Sequence, residues 1–388
     1  MTTFPAVLIG GPPHSGKSVF VYSLTHHLRQ RGVPHYVLRA TPDGEGDWSN
    51  EADQKFVRRL RRKGEFTETF TQMLAGFLQK RHLPLLVDVG GRPTLEQEAV
   101  FAYCTHAILL VGHQGDDDAY ARDLAEWEAR MERLGIPVIA RLTSRLAGEN
   151  RLASASPIIC GELAGLERGQ LAEGPVVTAV LDKLAQLFAY TQEELTTIHL
   201  SQAPVELTLD LPRLARTLGS TDENWQPEQL PELLNYLPQG KPLAAYGRAP
   251  NWIYGALAGL SMPAPFWLWD ARLGWVEPPV LPFTATEIQD GWETQVTETG
   301  NYVHLAIATH GQYLDITEPE EMPLPDLPGS SQRGLVVSGK IPHWIVTAVI
   351  RQFMTRFPWT AVYHPVLQKG VVVTGLKNAP QLLIPMPI

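Results

Sequence analysis

Cysteine is nearly absent from this chain of 388 residues: Cys104 and Cys160 are the only two, and both lie in apolar segments. Two thiols so placed exclude a disulfide framework and a thiolate zinc site, and both are expected to be buried in the core. An excess of positive charge is lacking as well, since 32 Lys and Arg stand against 41 Asp and Glu for a net −9. Without a positive field over the whole molecule, duplex DNA and anionic lipid are excluded as broad partners, and any polyanion must be held by a local site. No apolar run approaches the roughly 18 residues a membrane helix needs. Residues 1–5 carry no basic cluster of a secretion signal, so the cytoplasm is the expected compartment. Gly and Pro, at 32 each and without any period, predict many short elements and tight turns.

The first 190 or so residues alternate short apolar runs with stretches of helical period, the pattern of βαβ units around a parallel sheet. Strands are expected at 6–9, 36–38, 85–88, 107–111, 138–140 and 158–160, and helices at 19–31, 65–80, 119–134 and 176–190. Beyond residue 190 Trp and Pro become frequent and charge thins out, which places a boundary near 195–203. The expected fold is α/β: a P-loop doubly wound parallel sheet over 1–198, followed by two tandem small α/β modules, 199–290 and 291–388.

The tandem reading rests on an internal repeat. Gly247-Arg248-Ala249-Pro250-Asn251-Trp252-Ile253 is echoed by Gly339-Lys340-Ile341-Pro342-His343-Trp344-Ile345. Residues 265–273 match 358–367, and the alternating strand expected at Val205–Leu211 has a partner at Val303–Ile307. Each copy reads strand, Pro-rich loop, strand, Gly-basic-x-Pro-x-Trp turn, helix, strand, which implies a pseudo-two-fold pair. Such a turn shows backbone donors and one cation at a helix N-terminus and suits a phosphodiester; a β-to-α connection stapled by its Trp is the plainer alternative.

Gly11-Pro12-Pro13-His14-Ser15-Gly16-Lys17-Ser18 fits G-x-x-x-x-G-K-S and lies between a strand and a helical run, where a phosphate-cradling loop belongs. Its amides would curl around the polyphosphate of ATP, Lys17 would reach the β and γ phosphates, and Ser18 would ligate Mg²⁺. Asp88, at the end of its strand and before Gly90-Gly91, has the place of a second Mg²⁺ ligand and catalytic carboxylate, or of a structural strand-end Asp. The combination resembles P-loop proteins of the dethiobiotin-synthetase and partition-ATPase class. Asp43, in the acidic run to Asp47, is a candidate proton acceptor or part of a solvated loop. The cations of Arg58–Lys63 are a phosphate clamp or a solvated face. Asp116–Asp118 are expected to favour a helix N-terminus, and Thr143–Arg145 to border a base.

The stretches 333–344, 359–367 and 370–373, together with Gly247–Trp252 and Trp269–Gly274, resemble the small CRISPR-associated ring nuclease family Csx-three, over about residues 203–388. Members of that family occur fused to P-loop domains, bind cyclic tetra-adenylate, cleave it with manganese dependence and work as higher oligomers. The resemblance therefore implies a cyclic oligoadenylate partner, a homo-oligomer and Mn²⁺ as a further cofactor. It assigns Gly247, Arg248, Arg272, Gly339, Lys340 and His343 to the ligand, and Asp270 and His364 to cleavage. The family's Tyr-Asp-Pro-Arg run is kept in part by Asp270 and Arg272, whereas the second copy has His364 and Val366 there, and neither copy keeps the late-helix His. His343 or His364 is a substitute across a two-fold interface, or else a surface or satisfied core histidine. The expected protein is an ATPase or phosphotransferase coupled to a messenger-binding module with or without ring cleavage. The alternative is a small-molecule or nucleotide kinase whose C-terminal half is a binding or assembly module.

Overall fold

Strands that are apolar along their whole length need cover on both faces, and the first unit supplies it. The computed structural model describes residues 4–40, 75–91, 93, 95–220, 224–284, 292–309, 316 and 319–386, in two compact units, Met1–Thr197 and Ile198–Ile388. Asp43, the rest of its acidic run and Arg58–Lys63 lie outside the described residues.

In the first unit β1 (Ala6–Gly10), β2 (Tyr36–Ala40), β3 (Leu85–Val89), β4 (His106–Gly112), β5 (Val138–Arg145), β6 (Arg151–Ser154) and β7 (Ile159–Ala164) form one sheet in the order β2-β3-β1-β4-β5-β7-β6. Every neighbouring pair is parallel except β6 with β7. The helices are α1 (Lys17–Gln30), α2 (Leu95–Phe101), α3 (Asp117–Leu134) and α4 (Pro175–Leu187), and the boundary between the units falls within α5 (Gln192–Leu200). Alternation along β1 feeds two cores: Val7 and Ile9 join Phe20 and Val21 of α1 and Val177 and Val180 of α4, while Ala6 and Leu8 join Trp127 and Met131 of α3. An α/β unit with helices on both faces results.

Two details depart from the expectations and a third meets them. β5 continues to Arg145 because both its neighbours extend that far, pairing Gly112 with Ser144 and Ala164 with Arg145. Thr143–Arg145 are therefore strand residues. Cys160 is only half-buried, since β7 alternates between buried and partly open positions; Cys104 is buried as expected. Asp116 does cap α3, its carboxylate accepting from the Ala119 amide at 2.9 Å.

The second unit holds two sheets of one plan. β8 (Thr208–Asp210), β9 (Leu243–Tyr246), β10 (Phe266–Asp270) and β11 (Gly274–Val276) lie in the order β11-β10-β9-β8. After β12 (Phe283–Thr284), which pairs with β15 (Leu324–Pro325), come β13 (Trp292–Glu298), β14 (Tyr302–Thr309), β16 (Gly334–Ser338), β17 (Thr360–His364), β18 (Lys369–Thr374) and β19 (Leu383–Pro385), in the order β13-β14-β16-β17-β18-β19. In both sheets the first two pairings, β8 with β9 and β9 with β10, β14 with β16 and β16 with β17, are parallel, and the hairpin that follows is antiparallel. The strand expected over Val205–Leu211 shortens to β8 because Leu211 already begins α6 (Leu211–Thr217), capped by Asp210. α7 (Leu230–Tyr236) follows, and α8 (Asn251–Ser261) and α9 (His343–Phe353) fill equivalent places between β9 and β10 and between β16 and β17.

One core joins the sheets: Trp252, Ile253 and Leu257 of α8 pack with Trp344, Ile345 and Val349 of α9 and with Val362 and Val371. Arg351 locks the two helices together, donating to Ala258 O at 3.1 Å, Ser261 Oγ at 2.8 Å and Ala264 O at 2.9 Å, so a cation from α9 closes the C-terminal end of α8. Replacing Arg351 by Ala strands these acceptors at a helix end and is expected to cost about 2–3 kcal/mol, read as a lowered midpoint in denaturant unfolding of the whole chain.

Candidate functional site

β1 is central, so the chain leaves it at the carboxyl edge of the sheet, where ligands bind α/β folds. Gly11 turns there with φ 153°, and a Cβ on it would lie 1.9 Å from Leu110 O of β4; no other residue fits. Pro12 is partly covered, Pro13 and His14 are exposed, and Ser15 is buried. His14 takes the left-handed conformation, φ 62°. Gly16 precedes α1, whose N-terminus takes no hydrogen bond from a capping side chain, the arrangement an anion completes. The loop after β7 reaches this turn: Leu166 packs against Gly16, and the Ala172 amide donates to Ser23 Oγ at 2.9 Å.

Lys17 is buried beneath the loop, its ammonium donating to Gly11 O at 2.9 Å and Pro12 O at 2.7 Å, with Ser15 Oγ at 3.4 Å. Burial pulls its pKa down to about 8, and the nearby Asp88 charge opposes that shift. Parallel pairing of β1 with β3 sets Asp88 level with Ile9, and Ser18 Oγ donates to Asp88 Oδ2 at 2.9 Å. A hydroxyl and a carboxylate, the oxygen donors a magnesium ion takes, are thus already together.

In the second unit the equivalent turns follow β9 and β16. Gly339, φ 147°, presses on β14, where a Cβ would lie 2.1 Å from Ile307 O; Gly247, φ 101°, presses on Pro212 in the same manner. Arg248 and Lys340 project exposed from the two turns. Pro250 and Pro342 precede the first helical residues, Asn251 and His343, and these two meet: His343 Nδ1 is 2.5 Å from Asn251 Oδ1. Tyr254 stacks on the His343 ring at 4.2 Å and 22°, and its hydroxyl donates to Gly247 O. Asp270, at the end of β10, accepts from the amides of Arg272 at 2.8 Å and Leu273 at 3.2 Å, with the Arg272 guanidinium 3.7 Å away. Burial holds the His343 imidazole below its usual pKa, the Asp270 charge partly opposing; burial raises the Tyr254 phenol, with Asp270 and Tyr246 adding to it.

The structure therefore brings Asp270, His343 and the Gly247 turn together. His364 ends β17 and takes a long bond from the Leu367 amide, 3.4 Å; among the described residues no hydrogen bond joins it to that group. Among the described residues no three His, Cys, Asp or Glu side chains gather to hold a metal. Asn251 and Tyr254 are partners the sequence reading overlooked, although aligning the two copies places Asn251 opposite His343.

Residues 309–380, which include β16, α9, β17 and β18, match the family described as CRISPR-associated protein (Cas_csx3). No curated protein matches this chain. No described helix is long and apolar enough to cross a membrane.

Because Lys17 titrates lower folded than unfolded, the unfolded chain holds more protons between pH 8 and its ordinary 10.5. Stability is then expected to rise with pH across that window, recovering about 3 kcal/mol that burial of the cation costs at neutral pH. Lys17→Met should flatten this part of the pH–stability curve in denaturant titrations; an unchanged slope counts against the buried ammonium.

Proposed function

We propose that this protein is a CRISPR-associated accessory protein in which an ATP-binding P-loop unit is coupled to a tandem module that binds a cyclic oligoadenylate, with cyclic tetra-adenylate the ring implied by the resemblance. The observation that carries the reading is the Lys17–Ser18–Asp88 constellation in one chain with the Cas_csx3 match. The uncapped amides of Gly16–Lys17–Ser18 would receive the phosphates, and Lys17 would exchange its carbonyl partners for phosphate oxygens, gaining in charge pairing what burial costs it. Ser18 and Asp88 would hold Mg²⁺, which neutralises charge on the phosphates. Water is the plainest acceptor of the terminal phosphoryl group.

For the ring, two turns related by the repeat offer two cations, Arg248 and Lys340, and two helix N-termini to a ligand that itself repeats. Arg272 adds a third cation close by. Coupling between nucleotide and ring is a reciprocal free energy. Calorimetry with a non-hydrolysable ATP analogue and Mg²⁺ is expected to show binding lost in Lys17→Ala, and affinity altered by cyclic tetra-adenylate by the same factor in both directions. Unchanged affinities overturn the coupling, and no binding of the analogue overturns the ATP site. Loss of ring binding is expected in Arg248→Ala/Lys340→Ala.

A further inference from the structure

The carboxyl edge of the first sheet carries a second group of polar side chains, which the phosphate chemistry leaves unused. His113 follows β4, Arg145 ends β5, Glu162 lies in β7 in register with Thr143, and Asp117 begins α3. The four form one chain of contacts. His113 Nε2 donates to Asp117 Oδ1 at 2.7 Å, and its Nδ1 accepts from Arg145 Nη1 at 3.2 Å and from the Gly115 amide at 3.4 Å. On its other edge the Arg145 guanidinium meets Glu162, Nη2 donating to Oε1 at 3.4 Å and Nε lying 3.3 Å from Oε2. Braced on two edges, the guanidinium plane has little freedom to turn, yet the side chain is 39% exposed, so part of its flat surface stays open to a ligand.

This chain adjoins the phosphate loop. A Cβ on Gly112, the residue before His113, would lie 3.8 Å from Ser15 Cα, and the loop after β7 packs Leu166 on Gly16. Asn150 ties the loop after β5 into the same wall: its Oδ1 accepts from the Ala164 amide at 2.7 Å and its Nδ2 donates to Glu173 O at 2.5 Å. Ser18 and Asp88 occupy the other flank, where β3 pairs with β1. A magnesium ion there would bridge the two outer phosphates of a nucleotide, which directs the nucleoside end to the opposite flank, over the ends of β4, β5 and β7.

The geometry points to Arg145, braced by His113 and Glu162, as the stacking platform for the purine base of the bound nucleotide, an inference that rests on the ATP-site reading above. A guanidinium stacks on a base through its face while its edge nitrogens keep their own partners, so the contacts with His113 and Glu162 persist when the base is seated. A purine offers that face more π surface than a pyrimidine does. Leu146, 82% exposed beside Arg145, and Leu166 are apolar side chains that the base would cover. His113 and Glu162 act through Arg145 and are positioning residues.

The test is calorimetry on the full chain with Mg²⁺ and three probes: a non-hydrolysable ATP analogue, the corresponding cytidine analogue, and inorganic tripolyphosphate, which carries the phosphates alone. The unaltered protein is expected to bind the ATP analogue at least about tenfold more tightly than tripolyphosphate, and more tightly than the cytidine analogue. Arg145→Ala should weaken the ATP analogue about tenfold and leave tripolyphosphate within about twofold, which also shows that the variant is folded. Arg145→Lys keeps the charge and loses the plane, so it should weaken the ATP analogue nearly as much; it carries the comparison should Arg145→Ala fail to fold. Parental affinity for the ATP analogue in either variant overturns the assignment. So does an equal loss of both probes, which would make Arg145 a cation for the phosphates, or an unaltered chain that holds tripolyphosphate as tightly as the ATP analogue. Failure of the unaltered chain to bind any of the three overturns the ATP-site reading itself, and the assignment with it.

Discussion

Three times in this molecule a parallel strand ends where the neighbouring chain presses so close that a side chain has no room. Gly11 lies against the Leu110 carbonyl, Gly339 against the Ile307 carbonyl and Gly247 against Pro212. Each contact forces the chain into a backbone conformation open to glycine alone among ordinary residues, and each is followed within a few residues by the start of a helix. Every group given a role in the candidate sites hangs from one of these turns or from the strand beside it. Lys17 and Ser18 begin α1, Asn251 begins α8 and His343 begins α9, while Asp88 and Asp270 end or nearly end their strands. Tight packing below is thus what leaves backbone amides and short polar side chains above, where the amides have few partners of their own.

The two larger sheets of the second unit share a strand plan and differ at equivalent positions: the residue after Pro250 is Asn251, that after Pro342 is His343, and the two are joined by a hydrogen bond. The same holds at the other end of the helix pair, where Arg351 of α9 closes α8 and has no basic counterpart in the first copy's helix. Asymmetry inside a shared core is what makes one centre near Asp270 and leaves His364, its counterpart at the end of β17, outside it.

Much of this was legible in the residues, for physical reasons. Strands buried on both faces read as unbroken apolar runs, so β1, β3 and β4 were visible at once, and the glycines of the loop before Lys17 marked the turn from β1 into α1. The two Gly-basic-x-Pro-x-Trp stretches fall on the turns after β9 and β16. β6 and α2 were missed because a short edge strand with no buried residue among its four, and a seven-residue helix, are too short for a period to show. The end of β5 was hidden by polar residues whose place in the sheet is set by β4 and β7, not by their own preference. That His343, and not His364, lies within reach of the Asp270 charge is a fact of packing between α8 and α9 that spacing along the chain does not encode.

Hydrogen–deuterium exchange of the intact protein tests the shared claim of the three turns most directly. Saturation with an ATP analogue and Mg²⁺ is predicted to slow exchange at residues 11–18, and saturation with cyclic tetra-adenylate to slow it at 247–251 and 339–343 together. Exchange at all three turns left unchanged by either ligand, or protection by the ring at one copy's turn and not the other's, would contradict the account.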